Sequence, residues 1–380
     1  MKKALNTHQF NKIILINMFA MKLITFSGLM YDKIQNDIWI VVLALMTLDL
    51  LFLYLILKAK SKTKLPFIEC LNRTIGKILA KVVVFSCMLF FLVKLLFILS
   101  ESYFFLNYIL YDELNQILLV VCFLIVWSYL TYGGLTNIGR TIEVFFFPVI
   151  VGLIVAVLVG VFQSDYLNIF PILKNGISPV IDTAFTYCFW FGDYLFALFI
   201  IDKSEFSKKD IKSTMTYVII GIFIVTFIIL TFVGLFDLTG HRHFSALSEI
   251  AQVPPEFAGF NRIDWIIVLF FTIAQFFQTT LYFYCVYFII SKLTKIKYKS
   301  YNLIITNLLV LILYMFFASD HSKILYVLRN IMPYFTVSLV GILFIFVLII
   351  LFNKKHYQTI NYKKLKPILK LKNKEVYSNV

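Results

Sequence analysis

The residues of this chain that could do chemistry are acidic and lysine side chains within long apolar runs. Asp182 and Asp193 lie in one such run, and Gly192 precedes the second of them. A charged side chain in the middle of a bilayer costs roughly 2.5–3.5 kcal/mol even on a lenient scale. If the run crosses a membrane, its aspartates must therefore face the bundle interior or a wet cavity. A similar polar interruption occurs in the first apolar run, at Asn17, Lys22, Thr25, Ser27 and Gly28.

The two interruptions fall in the first and sixth of about ten apolar runs, which are matching positions if the chain has two halves of five. Many transporters consist of two inverted repeats and bind their substrate where one helix of each half is broken. Backbone groups freed at such a break can bind the carboxylate and ammonium of an amino acid. The alternative is that Gly28 and Gly192 only let helices pack closely. The predicted substrate-binding residues at the breaks are Thr25, Ser27, Gly28, Trp190, Gly192 and Asp193.

Two further runs place polar side chains on one helix face. Lys94 and Glu101 are seven residues apart and therefore lie on the same side of a helix. We expect Lys22 and Lys94 to form charge pairs in the bundle, with Lys22 in a place that a coupling ion could fill. A lysine that reaches back to the membrane surface is the alternative for Lys22. The eighth run carries a polar stripe of Gln275, Gln278, Thr279 and Tyr282.

The polar stripe is suited to lining a cavity. We predict that four more residues contribute to substrate binding, namely Glu101, Gln275, Gln278 and Thr279. Hydrogen bonds between helices, with no ligand, explain the stripe equally well.

The sequence predicts no metal site, no cofactor and no enzymatic activity. His241 and His243 are close enough to share a metal, but no carboxylate or cysteine joins them at ligand spacing. The five cysteines form no CxxC motif, and four lie in apolar runs as small packing residues. No nucleotide-binding, zinc-protease or serine-hydrolase motif occurs. A membrane enzyme such as an acyltransferase would have only His321 beside Asp320 to use.

The composition requires these residues to be positioned by membrane helices. Of the 380 residues, 61% are hydrophobic and 14% charged, and the mean hydropathy is +0.89. A soluble domain is roughly 45–50% apolar and about 25% charged. We therefore predict an all-α integral membrane protein of about ten transmembrane helices, in a five-plus-five inverted repeat with helices one and six broken. The predicted spans are 10–31, 38–57, 82–107, 116–132, 144–163, 179–201, 213–236, 263–291, 301–318 and 330–352.

The positive charges predict the orientation. The net charge is +15, and the lysines lie mostly in short connections, where they indicate topology and contact with anionic lipid rather than nucleic acid. Alternate connections carry 27 and 6 basic residues, which puts both termini in the cytoplasm. Residues 1–352 are predicted to form one polytopic domain, and 353–380 a basic cytoplasmic tail. Leu65–Ala80 could form a short amphipathic helix on the cytoplasmic surface.

Three stretches carry short motifs of one known family, at the junction of the fourth and fifth spans (Tyr132–Pro148), before the sixth span (Tyr166–Pro179) and at the arginine-containing start of the eighth span (Phe260–Asp264). The matching positions are Arg140, Glu143, Pro148, Pro171, Gly176 and Pro179. In these stretches the chain resembles the spore germination permease-like proteins, which are the B subunits of germinant receptors in the amino acid–polyamine–organocation superfamily. The family commonly has a glutamate where this chain has Asp193.

The resemblance implies a membrane subunit that binds a small nutrient, such as an amino acid, and signals germination. It also implies an A-type membrane subunit and a C-type lipoprotein as partners, and the inner membrane of a spore as the location. An ion-coupled amino acid permease is the alternative, because the two share a fold and a fold does not decide function.

Overall fold

Every regular element in the described part of this computed structural model is helical. The structure describes residues 5–22, 26–63, 65–109, 115–201, 207–242, 250, 264–294, 296 and 298–352. Within a bilayer no water can satisfy the backbone, so long apolar runs must satisfy their own N–H and C=O groups as helices. Thr25 and the tail 353–380 lie outside the described residues, as do Phe260–Arg262 of the third resembling stretch.

Fourteen α-helices follow one another in the described part of the chain. They are α1 (Thr7–Lys22), α2 (Phe26–Ile34), α3 (Ile38–Lys62), α4 (Phe67–Thr74), α5 (Lys77–Ile109), α6 (Gln116–Gly133), α7 (Leu135–Val161), α8 (Ile177–Tyr187), α9 (Ala197–Ile200), α10 (Lys208–Phe236), α11 (Asp264–Thr294), α12 (Lys299–Leu313), α13 (His321–Asn330) and α14 (Met332–Phe352).

The predicted membrane fold is confirmed. Nine helical stretches among the described residues are long and apolar enough to cross a membrane, and one of them joins α2 to α3. If α2 is counted with α1 as the first span, and α3 as the second, the total is ten. Spans at matching positions of the two halves contact each other. The second span, α3, packs on the seventh, α10, and the third span, α5, packs on the eighth, α11. This is the five-plus-five arrangement, with α1 and α2 as the first span and α8 and α9 in the sixth.

Several helices begin earlier than hydropathy predicts. α5, α7 and α10 begin at Lys77, Leu135 and Lys208, before the predicted positions 82, 144 and 213. Hydropathy marks only the part of a helix in lipid, whereas the polar first turns continue into the hydrated interface. At α10 this turn is stabilised by a capping box, in which Ser207 and Asp210 bond each other's backbone N–H. The predicted surface helix is present as α4, which is shorter than expected and buries Phe67 and Cys70.

The sixth span is broken in its middle. α8 ends at Tyr187, a 3-10 turn covers Cys188–Trp190, and a second turn begins at Asp193. Gly192 between them has φ +74°, in the left-handed region that costs other residues energy. The break therefore lies at the glycine–aspartate pair that the sequence identified, and α11 and α5 pack around it.

Candidate functional site

Asp193 lies at the break of the sixth span and is completely buried. Its carboxylate accepts hydrogen bonds from Lys22 Nζ at 2.8 Å and from Tyr282 Oη at 2.7 Å. Lys94 Nζ also donates to it. The two lysines come from α1 and α5, so one aspartate joins three spans. The sequence led us to expect charge pairs for Lys22 and Lys94, and in the structure both lysines contact Asp193.

Asp49 is a second carboxylate at the break that sequence reasoning missed. It extends from α3 and accepts the backbone N–H of Gly192 at 2.9 and 3.1 Å. Its nearest cation is Lys22 Nζ, 3.9 Å away. The sequence does contain a signal for it, because Asp49 is the only charged residue in the predicted span 38–57. The cost of burying a charge in a membrane indicates that such a residue has a partner in the bundle.

The four ionic groups form what we call the central charge cluster: Lys22, Asp49, Lys94 and Asp193. All four are buried, and their formal charges sum to zero. Lys94 Nζ also donates to the carbonyl of Phe191 at 2.7 Å. Lys94 and Asp49 together therefore satisfy backbone groups that the break removes from helical hydrogen bonding. A charged pair in a dry interior persists only with such pairing and additional hydrogen bonds.

Aromatic rings and amides enclose the cluster. Lys22 Nζ lies 5.3 Å from the ring centre of Phe191, and Lys94 Nζ lies 5.0 Å from that of Phe90, within range of cation–π attraction. The amide of Gln278 donates to Asn17 Oδ1 at 2.7 Å and to Tyr282 Oη at 3.1 Å. Through Tyr282, this amide pair from α1 and α11 is connected to Asp193.

Glu101 lies about two turns from Lys94 along α5, roughly 10 Å by helix geometry. The side chain is buried, and neither carboxylate oxygen has a hydrogen-bond donor among the described residues. His321 Nε2 is 3.4 Å from it, and the imidazole stacks on Phe104. Burial lowers the pKa of His321, and Asp320 opposes this to a smaller extent. Next to Glu101, Ser102 donates to Gln275 at 3.2 Å.

The structure divides the polar stripe of the eighth span. Gln275 accepts from Ser102, the chain neighbour of Glu101, whereas Gln278 and Tyr282 belong to the surroundings of Asp193. Thr279 directs its hydroxyl to carbonyls of its own helix, those of Gln275 and Phe276. The stripe thus contributes to two polar layers at different depths in the bundle.

Of the remaining predicted residues, Ser27 and Gly28 lie at the start of α2 and Trp190 at the break of the sixth span. Ser27 and Gly28 are buried in α2, and Trp190 packs edge-on against Phe97 with ring centres 5.4 Å apart. Asp182 is an exception to the expectation that acidic groups in this run face inward. It is exposed, whereas Val180 and Thr183 on the same two turns of α8 are buried, so Asp182 lies on the outward face of this helix.

The chain matches known proteins in both sequence and fold. The model of the family described as "Spore germination protein" matches residues 4–324. Spore germination protein KB of Bacillus subtilis (strain 168) is 27% identical over 232 residues, which are 59% of this chain. The match spans 61% of that relative's length.

Solved structures of a manganese transporter from Eremococcus coleocola share the fold. Two mutant forms match with TM-scores of 0.58 and 0.59 at 10% identity, covering 89% of this chain and 77% of theirs. A structure of the same transporter with an aromatic bis-isothiourea compound matches with a TM-score of 0.56. At this identity the likeness concerns the fold, which is that of a membrane transporter.

Proposed function

Because this chain belongs to the spore germination protein family, we propose that it is the membrane subunit of a germinant receptor that binds a small nutrient, such as an amino acid, and signals germination. The observation that supports this most directly is the contact between the two broken spans. Lys22 at the end of α1 and Asp193 in the sixth span form a buried ion pair of 2.8 Å. It lies where transporters of this fold class bind substrate.

The pair has the chemistry to exchange with an amino acid. A zwitterion carries an ammonium that can replace Lys22 at Asp193 and a carboxylate that can accept the lysine it displaces. The exchange keeps the central charge cluster neutral, so no unpaired charge is buried. An uncharged nutrient would have to enter without replacing either ionic partner. The cluster therefore favours a zwitterion.

Such an exchange would also produce a signal. In the ligand-free state Asp193 holds α1 against the sixth span. A ligand that inserts between them favours a conformation with the two broken spans apart, and it shifts the equilibrium by its difference in affinity for the two states. Thr25, Ser27, Gly28, Gly192 and Trp190 are proposed to contact the ligand at the breaks.

The layer around Glu101 is proposed as the approach to this site. A buried carboxylate without a hydrogen-bond donor among the described residues would attract the ammonium of an incoming ligand. Gln275 beside it, and Gln278 and Thr279 further along α11, would supply amide and hydroxyl contacts. With both termini in the cytoplasm, Glu101 lies on the outer side of the cluster.

The partners and location follow from the family rather than from contacts in this chain. We propose an A-type membrane subunit and a C-type lipoprotein as partners, in the cell membrane or the inner membrane of a spore. The basic tail 353–380 would lie on the cytoplasmic leaflet, to which its lysines are attracted.

An ion-coupled amino acid permease is the second candidate, and the position of Lys22 favours it. Its Nζ lies between two carboxylates, 2.8 Å from Asp193 and 3.9 Å from Asp49, as a bound cation would. A proton gained or lost within this cluster could couple to substrate movement. Counterflow of labelled amino acids in liposomes separates the two functions, since a sensor binds without accumulating label.

The test of the binding site uses a charge-balanced variant. Lys22→Met with Asp49→Asn removes one cation and one anion, and it leaves Lys94 paired with Asp193. We expect the purified variant to fold and to lose at least ten-fold in affinity for the amino acid that stabilises the wild type in a thermal-shift panel. The matched control is the exposed Asp182→Asn, which should bind normally. A folded double variant with unchanged affinity contradicts the proposed site.

A further inference from the structure

A polar cavity lies away from the central charge cluster, where α6 and α11 end and α7 and α12 begin. We call it the basic cavity. Its volume is about 640 Å³, and Arg140, Lys292 and Lys299 contribute three positive charges to it. No aspartate or glutamate is among the described residues that line it. A cavity of this size with cations from three helices is suited to an anionic group.

The cations of the basic cavity have aromatic neighbours but no acidic partner among the described residues, since Lys292 Nζ lies over the ring of Phe288 and Lys299 Nζ over that of Tyr132. In the described part of the chain none of the three cations is ion-paired with a carboxylate. Thr131 lines the cavity and is only 2% exposed, yet its hydroxyl has no hydrogen-bond partner among the described residues. A buried hydroxyl without a partner is costly, and a bound acceptor oxygen would satisfy it.

The first turn of α7 adds donors to the same cavity. Gly134 caps this helix without a side chain, and the first bond of the turn runs from Asn137 N–H to the Gly134 carbonyl. The amides of Leu135 and Thr136 precede that bond and are helix-start donors, which favour anions. A Cβ added at Gly134 would meet no atom within 4 Å, so this end of the cavity is open.

A mostly apolar groove is lined by adjoining parts of α6, α7 and α11, three of the helices that line the basic cavity. It has a volume of about 540 Å³, and α6, α7 and α11 line it with residues that include Val126, Phe145 and Phe277. Tyr284 lines the cavity and Phe277 lines the groove, and the two residues are separated by about 10 Å along the axis of α11. Val126 is 42% exposed, so the groove opens to the surrounding bilayer.

From the cavity and the groove together, we propose a binding site for one anionic glycerophospholipid. The phosphate of the headgroup contacts Arg140, Lys292 and Lys299 and accepts from Thr131. An acyl chain lies in the apolar groove between α6, α7 and α11. Basic pockets between transmembrane helices bind anionic headgroups in this way. A free phosphate or nucleotide would use the cavity but leave the groove empty, so the two-part shape selects lipid.

The experiment measures lipid retention and melting temperature of the full chain in detergent, with phosphatidylglycerol, phosphatidylcholine and inorganic phosphate as probes. The test variant is Arg140→Gln with Lys292→Gln, whose side chains are exposed and do not enter the central charge cluster. We expect one phosphatidylglycerol per wild-type chain by native mass spectrometry, and about 30-fold weaker retention in the variant. Phosphatidylcholine should be retained less than phosphatidylglycerol by the wild type.

Two further variants separate this site from general attraction to a basic surface. The matched control, Lys77→Gln with Lys81→Gln, removes two exposed lysines at the same end of the bundle and should retain lipid like the wild type. Thr141→Phe fills the groove without changing charge and should lose lipid while its lipid-free melting temperature stays near that of the wild type. Equal loss in the lysine control overturns the proposal. So does a rise in melting temperature with inorganic phosphate equal to that with phosphatidylglycerol.

Discussion

Asp193 carries more ionic contacts than any other carboxylate in the described residues, so its substitution is expected to have a large effect on stability. Lys22 and Lys94 both donate to it from different spans. Desolvation offsets much of the gain from a buried ion pair, but removing one partner leaves the other charge stranded, at about 3–5 kcal/mol. The central charge cluster therefore affects stability mainly through the free energy that is lost when one of its charges is left without a partner.

Asp193→Asn should therefore lower the melting temperature and the yield of folded protein. The substitution keeps the size of the side chain and leaves two lysines facing a single, more distant carboxylate. A second substitution, Lys94→Met, should restore a large part of the loss because it removes one stranded cation. Asp182→Asn is the control, since that side chain is exposed. If Asp193→Asn melts like the wild type, the cluster is not ionised as described.

Tyr282→Phe tests the hydrogen bond that closes the cluster from α11. The phenol donates to Asp193 at 2.7 Å, and its loss should cost about 1.5–3 kcal/mol, the range for bonds to charged groups. The variant should melt at a lower temperature, and ligand affinity should fall as well. Tyr129→Phe, on a ring that is 74% exposed, should change neither. Equal melting temperatures for the two variants would show that the hydrogen bond from Tyr282 to Asp193 does not stabilise the fold.

At the scale of elements, the break of the sixth span depends on one backbone conformation. Gly192 has φ +74°, and its N–H is held by Asp49 from α3. A Cβ at this position would lie 3.4 Å from the ring of Phe90. Space is therefore nearly sufficient for a methyl group, and the backbone conformation is the larger obstacle.

Gly192→Ala should cost about 1–2 kcal/mol, the left-handed penalty for a residue with a Cβ. Gly192→Leu should in addition abolish the ligand response, because its side chain must displace Phe90 or occupy the space between the broken spans, while the protein remains in the membrane. Melting temperature and ligand-induced shift are the measurements. Gly341→Ala, where a Cβ meets nothing within 4 Å, should be neutral or slightly stabilising. A normal ligand response in Gly192→Leu would put the site elsewhere.

At the scale of the whole molecule, the charge distribution predicts the orientation in the membrane. The ratio of 27 to 6 basic residues in alternate connections predicts that the basic end, where α5, α7 and α10 begin, faces the cytoplasm. The same end contains the basic cavity, so the lipid proposed there belongs to the cytoplasmic leaflet, where anionic lipids are attracted to basic segments.

Labelling of introduced cysteines in intact cells tests this orientation. Cysteine at Lys62 should be protected from an impermeant maleimide, and cysteine at Arg242 should react, because the two lie at opposite ends of the bundle. The parent chain gives the background from its five cysteines, of which Cys122 is exposed. Permeabilised cells should label both positions. Reaction at Lys62 together with protection at Arg242 would reverse the topology.

The sequence by itself determined the membrane fold, the number of spans and the position of the broken sixth span. These follow from local properties: apolar runs of a certain length, basic residues between them, and a glycine–aspartate pair in an apolar run. The cost of burying charge also indicated that Lys22, Lys94 and Asp193 would need partners. It could not say which partners, because any facing side chain of opposite charge would satisfy the requirement.

Only the tertiary structure decided how the polar residues combine. Asp49 reaches Gly192 across 143 residues of sequence, and Ser102 reaches Gln275 across 173. Such contacts depend on the rotation and tilt of each helix against its neighbours, and packing sets these rather than periodicity. For the same reason a stripe that looked continuous along α11 divides between two layers. The contact of Asp49 with Gly192 was set only when α3 lay beside the sixth span, and the basic cavity formed only where α6, α7, α11 and α12 meet.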